Sequence, residues 1–267
     1  MRYFFLDASS PLAFGQAGDA SHHQPFTWST QMNLAARLPA MVAEMQAALA
    51  AWGALAEPAA GAKAPAGGGF RLAAGDRLGV CTGPGSLTGL RVALSFVRAL
   101  ALVRELPVVG IDLFTWGART LEARGVRGPV RLLAPAFLGQ AFLVDLDLPL
   151  PSSGDSGLGS ADRPLAGTSE SDGAPAGTGP TGAGATLSQH PRLGPRAGAP
   201  DGRPTFGLRF AAEGMARLDP EPAVLHELML GAPAHTGWEA LLRVAPLYVV
   251  PSQAELKWAQ THDHPGN

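Results

Sequence analysis

"VCTGPGSLTGLRVALSFVRAL", Val80 to Leu100, places a glycine-rich turn between a strand-like run and a helix-like run. Such a turn invites a phosphate-binding reading, because glycines let backbone N–H groups at a helix N-terminus approach an anion. A P-loop needs a lysine and a hydroxyl residue at fixed positions after its glycines, and "GPGSLTGLR" has the hydroxyls without the lysine. Gly83, Gly85 and Gly89 also lack the spacing of the dinucleotide fingerprint. The plain reading is a tight turn: Pro84 fixes one backbone angle, Gly85 is free to take positive φ, and Ser86 or Thr88 caps the helix.

Outward from the turn, "DRLGVCTG" before it and "RELPVVGID" after it complete a strand, turn, helix, strand unit, the kind that pairs its strands in parallel. Upstream, "RYFFLDA", "LAFGQA" and "QPFTWST" read as an antiparallel meander. A helix-like segment follows from Met32 to Trp52, with Leu34, Leu38, Met41, Val42, Met45, Leu49 and Trp52 on one side, begun or kinked at Pro39. Downstream, "LFTWGARTLEARG" reads as a helix closed by Gly125, and "PVRLLAPAFLGQAFLVDLDL" as two strands joined at Leu138-Gly139. "TFGLRF" is strand-like, and "PAVLHELML" and "GWEALLRV" are helix-like.

Two segments break this pattern. Glu57 to Gly75 reads as a flexible connector, and Pro149 to Pro204, which has no aromatic residue, as a disordered insertion too poor in apolar surface to offset its ordering entropy. The expected class is therefore α/β. Its divisions are a first lobe over 1–107, a second over 108–250 interrupted by the insertion 149–204, and a C-terminal tail 251–267.

With 20 basic and 22 acidic residues the formal charge is −2, which gives no overall field to draw the chain to nucleic acid or an anionic membrane. The single cysteine, Cys81, excludes an internal disulfide and suits a reducing compartment. No apolar run approaches the ~20 residues of a membrane span, and Asp7 interrupts the N-terminal one, so a soluble cytoplasmic protein is expected.

At about 100° per residue, Arg91, Ser95 and Arg98 share one narrow stripe of the helix after the turn. Leu87, Leu90, Val92, Ala93, Leu94, Phe96, Val97, Leu100 and Val103 cover most of the rest. That apolar arc is roughly twice the ~100° a helix needs to lie on its own sheet. The first helix has large apolar residues on one side, Ala36, Ala40, Ala43, Ala47 and Ala50 on another, and only Arg37 and Glu44 as charges. In a chain this short, two such helices are expected to hold a partner, for which ~800 Å² per side suffices. The residues expected at that surface are Leu38, Met41, Met45, Leu90, Leu94 and Val97.

"GPGSLTGLRVALSFVRALALVRELPVVGID" resembles the signature of the TsaB (YeaZ) family, a Gly-Pro-Gly-Ser-Phe/Leu-Thr-Gly-Leu-Arg turn opening a helix, with a Pro-Val-Val-Gly strand after it. "FFLDASSPLAFGQA", "ARLPAMVAEM" and "APLYVV" are similar to that family's opening hairpin, first-helix segment and closing strand. The chain departs from the family with Asn33 in "NLAARLP", where a histidine is frequent, and with the uncharged "PAFLGQAF", Pro135 to Phe142, in place of a charged segment.

The resemblance implies an actin-like, ribonuclease H-like fold of two related lobes. It also implies a non-catalytic dimerisation subunit in the formation of N6-threonylcarbamoyladenosine at position 37 of tRNA. The implied partners are a homologous catalytic subunit, TsaD, and an ATPase, TsaE, with a homodimer as an alternative and tRNA met only indirectly. By the same resemblance Asp7, Ser9 and Ser10 are candidates to approach nucleotide phosphates or magnesium-bound water; no cofactor is expected of the chain itself, with ATP or ADP and magnesium at a subunit interface as the alternative. The turn residues Gly83, Pro84, Gly85, Ser86, Thr88, Gly89 and Arg91 would set the helix for its partner.

The residues themselves leave alternatives. Asp7 can equally cap the turn before Pro11. The seven histidines have no pair at three- or four-residue helical spacing, so no metal site is expected, and no serine or cysteine nucleophile with a histidine and carboxylate is nominated. An actin-like ATPase or kinase-like enzyme using Asp7 and the turn is the rival reading, and a peptidase the third.

Overall fold

The computed structural model describes residues 1–29, 33–51, 72, 75–136, 140–150, 190–199 and 201–247. The opening meander forms β1 (Tyr3–Asp7), β2 (Leu12–Gly18) and β3 (His23–Ser29). The helix α1 (Leu34–Ala51) passes through Pro39 without a break. Then come β4 (Arg77–Gly83), α2 (Leu87–Arg104) and β5 (Val108–Asp112). These strands make one sheet in the order β3-β2-β1-β4-β5, antiparallel across the meander and parallel from β1 through β4 to β5.

Helix α3 (Leu113–Ala123) leads to the second sheet, built from β6 (Gly128–Pro135), β7 (Gln140–Leu148), β8 (Arg192–Pro195), β9 (Thr205–Leu208) and β10 (Ala216–Leu218). Its order, β10-β9-β6-β7-β8, repeats the first: an antiparallel meander of three strands, then two strands added in parallel on the other side of the first. The described elements end with α4 (Pro222–Gly231) and α5 (Trp238–Arg243). The fold is the α/β, actin-like pair of related lobes.

Two boundaries need correcting. Because β5 pairs with β4 from Leu78↔Val108 onward, the first lobe runs to Asp112 and not to residue 107. The insertion is also shorter than 149–204, because Arg192–Pro195 pairs with β7 as β8 and residues 190–199 and 201–204 are described. Residues 151–189 and 200 of that segment, most of the connector and the tail 251–267 lie outside the described residues.

The layers follow from which face of each element is apolar. Helices α1 and α2 pack on the outer face of the first sheet, where Phe4, Leu6, Leu78, Val80 and Val108 meet Leu38, Met41, Met45, Leu94 and Val97 in one core. Helices α3 and α4 lie between the sheets. Tyr3, Phe5, Val109 and Ile111 of the first sheet share a second core there with Trp116, Leu225 and Met229, and with Val130, Leu132 and Val144 of the second sheet. Arg77 on β4 adds a polar tie, its Nη1 donating to the carbonyls of Met229 (3.1 Å), Leu230 (3.2 Å) and Ala232 (2.9 Å) at the end of α4. A cation there satisfies carbonyls that the helix leaves unpaired.

On the outer face of the second sheet, Asp145 joins three strands. Its carboxylate meets Arg131 Nε at 2.6 Å, Arg192 Nη2 at 2.8 Å and Arg203 Nη1 at 3.2 Å. Hydrogen bonds from Arg131, against a smaller opposing effect of burial, hold the Asp145 carboxyl down at about 2. A folded-state value below the ordinary 3.8 gives stability that is present above pH 3.8 and lost as pH falls towards 2. Asp145→Asn is therefore expected to be less stable at neutral pH and to show a flatter decline than the unaltered chain over that window, read from urea midpoints at stepped pH.

Candidate functional site

At the glycine turn, Gly83 takes φ +103° and the Gly83-Pro84 bond is cis. Ser86 is the N-cap of α2, its Oγ accepting from Gly89 N at 3.3 Å. Ser86 N donates to the Ser9 carbonyl at 2.7 Å, which ties the turn to the loop between β1 and β2. A Cβ on Gly85 would stand 2.3 Å from the Ser9 oxygen, and one on Gly89 1.9 Å from the Ala8 oxygen. These two glycines therefore let backbone lie directly on backbone. The turn seats the start of α2 on the first hairpin, with Pro84 buried and Thr88 and Arg91 exposed. Along the same helix Arg98 donates to the carbonyls of Leu241, Leu242 and Val244, which ends α5 against α2.

Asp7, at the end of β1, is fully buried. One carboxylate oxygen accepts from Ser9 N at 2.8 Å, and the other stands 2.7 Å from Arg209 Nη1. Burial would raise the Asp7 carboxyl, but the Arg209 charge and the Ser9 N–H together bring it below its ordinary value. The Arg209 guanidinium lies 5.4 Å from the centre of the Trp116 ring and 5.9 Å from that of Phe14. Ser9 is buried, and Ser10 Oγ donates to the Leu12 carbonyl at 2.6 Å. Cys81 is buried beside this group, and burial followed by the Asp7 charge pushes its thiol up. Asp7, Ser9 and the glycine turn are thus brought together, but the carboxylate is already matched by a cation of the same chain. As arranged, these residues do not fit a magnesium-bound phosphate.

Arg209 had no place among the sequence-based candidates. The available signal is its position as the one charge in the strand-like "TFGLRF". A network between the lobes was also missed: Tyr3 Oη lies 3.0 Å from His226 Nδ1 and accepts from Gln16 Nε2 at 2.7 Å, while His226 stacks on His23 with ring centres 4.9 Å apart. With its oxygen accepting from Gln16, Tyr3 can give its proton to His226 Nδ1, an arrangement that suits a neutral imidazole. Burial, then the nearby His23, lowers the His226 value. Among the described residues no group of three or more His, Cys, Asp or Glu side chains could hold a metal ion.

The expected partner surface needs correction. Leu38, Met41, Met45, Leu90, Leu94 and Val97 are between 1% and 4% exposed and belong to the first lobe's own core. The sheet takes the flank with the larger side chains because that flank removes more apolar area from water. The other flank faces outward: Ala36, Ala40, Ala43, Ala47 and Ala50 are exposed along α1, and Leu102 and Val103 are exposed at the end of α2, Val103 by 78%. The alanines recur at intervals of four and three, one straight stripe on a helix. No helix of the described residues is long and apolar enough to cross a membrane.

Comparison with known proteins places this geometry in a family context. A family model described as TsaD, tRNA N6-adenosine threonylcarbamoyltransferase, matches residues 62–144, which contain the glycine turn and α2. No curated protein matches the sequence. Among solved structures, a Pseudomonas aeruginosa protein described as similar to peptidase YeaZ superposes with a TM-score of 0.58 at 16% identity, over 93% of this chain and 99% of the other. YeaZ from Pseudomonas aeruginosa gives 0.56 at 15% identity, over 92% and 99%. At these identities the likeness is one of fold. The chain is YeaZ-like along nearly its whole length, with a TsaD-like stretch at the turn that first suggested the resemblance.

Proposed function

We propose that this chain is a divergent TsaB-like scaffold subunit that performs no chemistry itself. It pairs in the cytoplasm with a homologous TsaD-type subunit that forms N6-threonylcarbamoyladenosine at position 37 of tRNA, with a TsaE-type ATPase joining the assembly. The observation that carries the reading is the exposed alanine stripe of α1, on a helix whose large residues are already consumed by its own core. Small side chains at four-three spacing let a second helix approach closely, and the helix beside it is set by the turn that matches the TsaD family model.

The test is a variant of that stripe. Ala43→Glu combined with Ala47→Arg keeps two good helix formers in a favourable i, i+4 pair, so the melting temperature is expected to hold. The charges would have to be desolvated in a close helix contact, so capture of the endogenous complex and the modified nucleoside level are both expected to fall steeply. Unaltered capture by the folded variant would remove this face of α1 from the interface. A purified chain that scatters as a dimer and loses that state on substitution would make the partner a second copy.

A further inference from the structure

We propose that Arg209 is a built-in counter-cation standing where a magnesium-bound phosphate would meet Asp7, so that the cleft between the lobes is closed to nucleotide from within. In open α/β sheets ligands bind beyond the carboxyl ends of the parallel strands. Asp7 ends β1, Gly83 ends β4, and Arg209 directly follows β9 of the other sheet. The cation therefore enters the very crevice that the topology offers to a ligand.

Three further observations point the same way. The side chain is held for this role, its Nη1 2.7 Å from a carboxylate that is itself fully buried and its guanidinium carbon over the rings of Trp116 and Phe14. Its backbone adopts φ +64°, which residues other than glycine take at a cost, and that conformation is fixed by Arg209 N donating to the Leu218 carbonyl at 2.8 Å. Of the neighbouring polar groups, Asp7 Oδ1 takes the Ser9 N–H, Ser10 Oγ donates to Leu12 and Ser86 N donates to Ser9, while the buried Asp7 Oδ2 has the Arg209 charge beside it without an aligned hydrogen bond. A phosphate or a magnesium ion would have to break these pairings before making its own.

The inference concerns the cleft and is independent of α1 and α2, so either proposal can fail while the other stands. The full-length chain is melted alone, with magnesium chloride and with magnesium–ADP. The unaltered chain is expected to show no shift with either. Arg209→Met keeps an unbranched side chain of similar reach and removes the charge. It is expected to melt ~10 °C lower, because Asp7 is left buried without a partner, and to recover part of that loss when magnesium is added. Asp7→Asn is melted alone and together with Arg209→Met; the double variant removes both charges and is expected to lose less than the two single losses added, and to fold and melt above Arg209→Met alone, a comparison that holds even where that single variant does not fold. A rise in the melting temperature of the unaltered chain with magnesium–ADP would overturn the proposal. So would indifference of a folded Arg209→Met to magnesium, or single losses that simply add.

Discussion

Val97→Asp is expected to abolish the folded first lobe and not merely to detach a partner. Val97 is 3% exposed and shares a core with Val80, Val108 and Leu241. The substitution loses ~1.5–3 kcal/mol of apolar burial and leaves a carboxylate with no cation in that core, at a further cost of several kcal/mol. Against a typical total of about 5–15 kcal/mol, little native population remains. Leu94→Asp should behave alike. The measurement is far-ultraviolet circular dichroism with a urea titration, beside Ala43→Glu/Ala47→Arg as the folded control. A soluble Val97→Asp with a cooperative transition would show that this side of α2 is not packed in solution.

The second large effect belongs to Gly89. An added Cβ would lie 1.9 Å from the Ala8 carbonyl oxygen, and both atoms are tied to backbone, so no side chain can rotate aside. The start of α2 must lift from the first hairpin or the hairpin must distort, so Gly89→Ala is expected to cost about 3 kcal/mol or more, in the range of severe overpacking. Ser86→Ala removes only the cap bond and should cost ~1 kcal/mol. The urea midpoints of the two variants separate the docking contact from the cap. Equal midpoints would mean that the turn does not rest on Ala8.

The contrast between these two residues marks what the sequence could disclose. Alternation and turn residues made β1 to β3 legible, and the unit from β4 to β5 followed from one strand, turn and helix. That same parallel pairing places β5 in the first sheet, so the first lobe ends at Asp112 and not at 107. The wheel found more apolar surface on each helix than its own sheet needs but could not say which part the sheet would take. Side-chain size decided it: the sheet buried Met41 and Met45 and left Ala43 and Ala47 outside.

Strands β8 and β10, "RLGP" and "ARL", are too short and too polar to carry a periodic signal and exist because a neighbouring strand offers hydrogen bonds. The site was half legible. Asp7 was a candidate through the resemblance of its hairpin, whereas Arg209, its counter-ion, lies some two hundred residues on, just after β9 of the other sheet, and only the fold brings the two together. The glycine turn looked like a phosphate cradle because both uses need the absence of a Cβ. The choice between them rested on what lies opposite, which is a carbonyl of the same chain.

Helices α3 and α4, held between the two sheets, make the lobes poor candidates for hinge motion. Closing and opening around a guest would have to tear one continuous oily interior and unclasp Arg77 from the end of α4. Neither half is a portable module. Severed after Asp112, the first would carry a bare greasy face from Tyr3 to Ile111, and the second would lose the strands that cover α3 and α4.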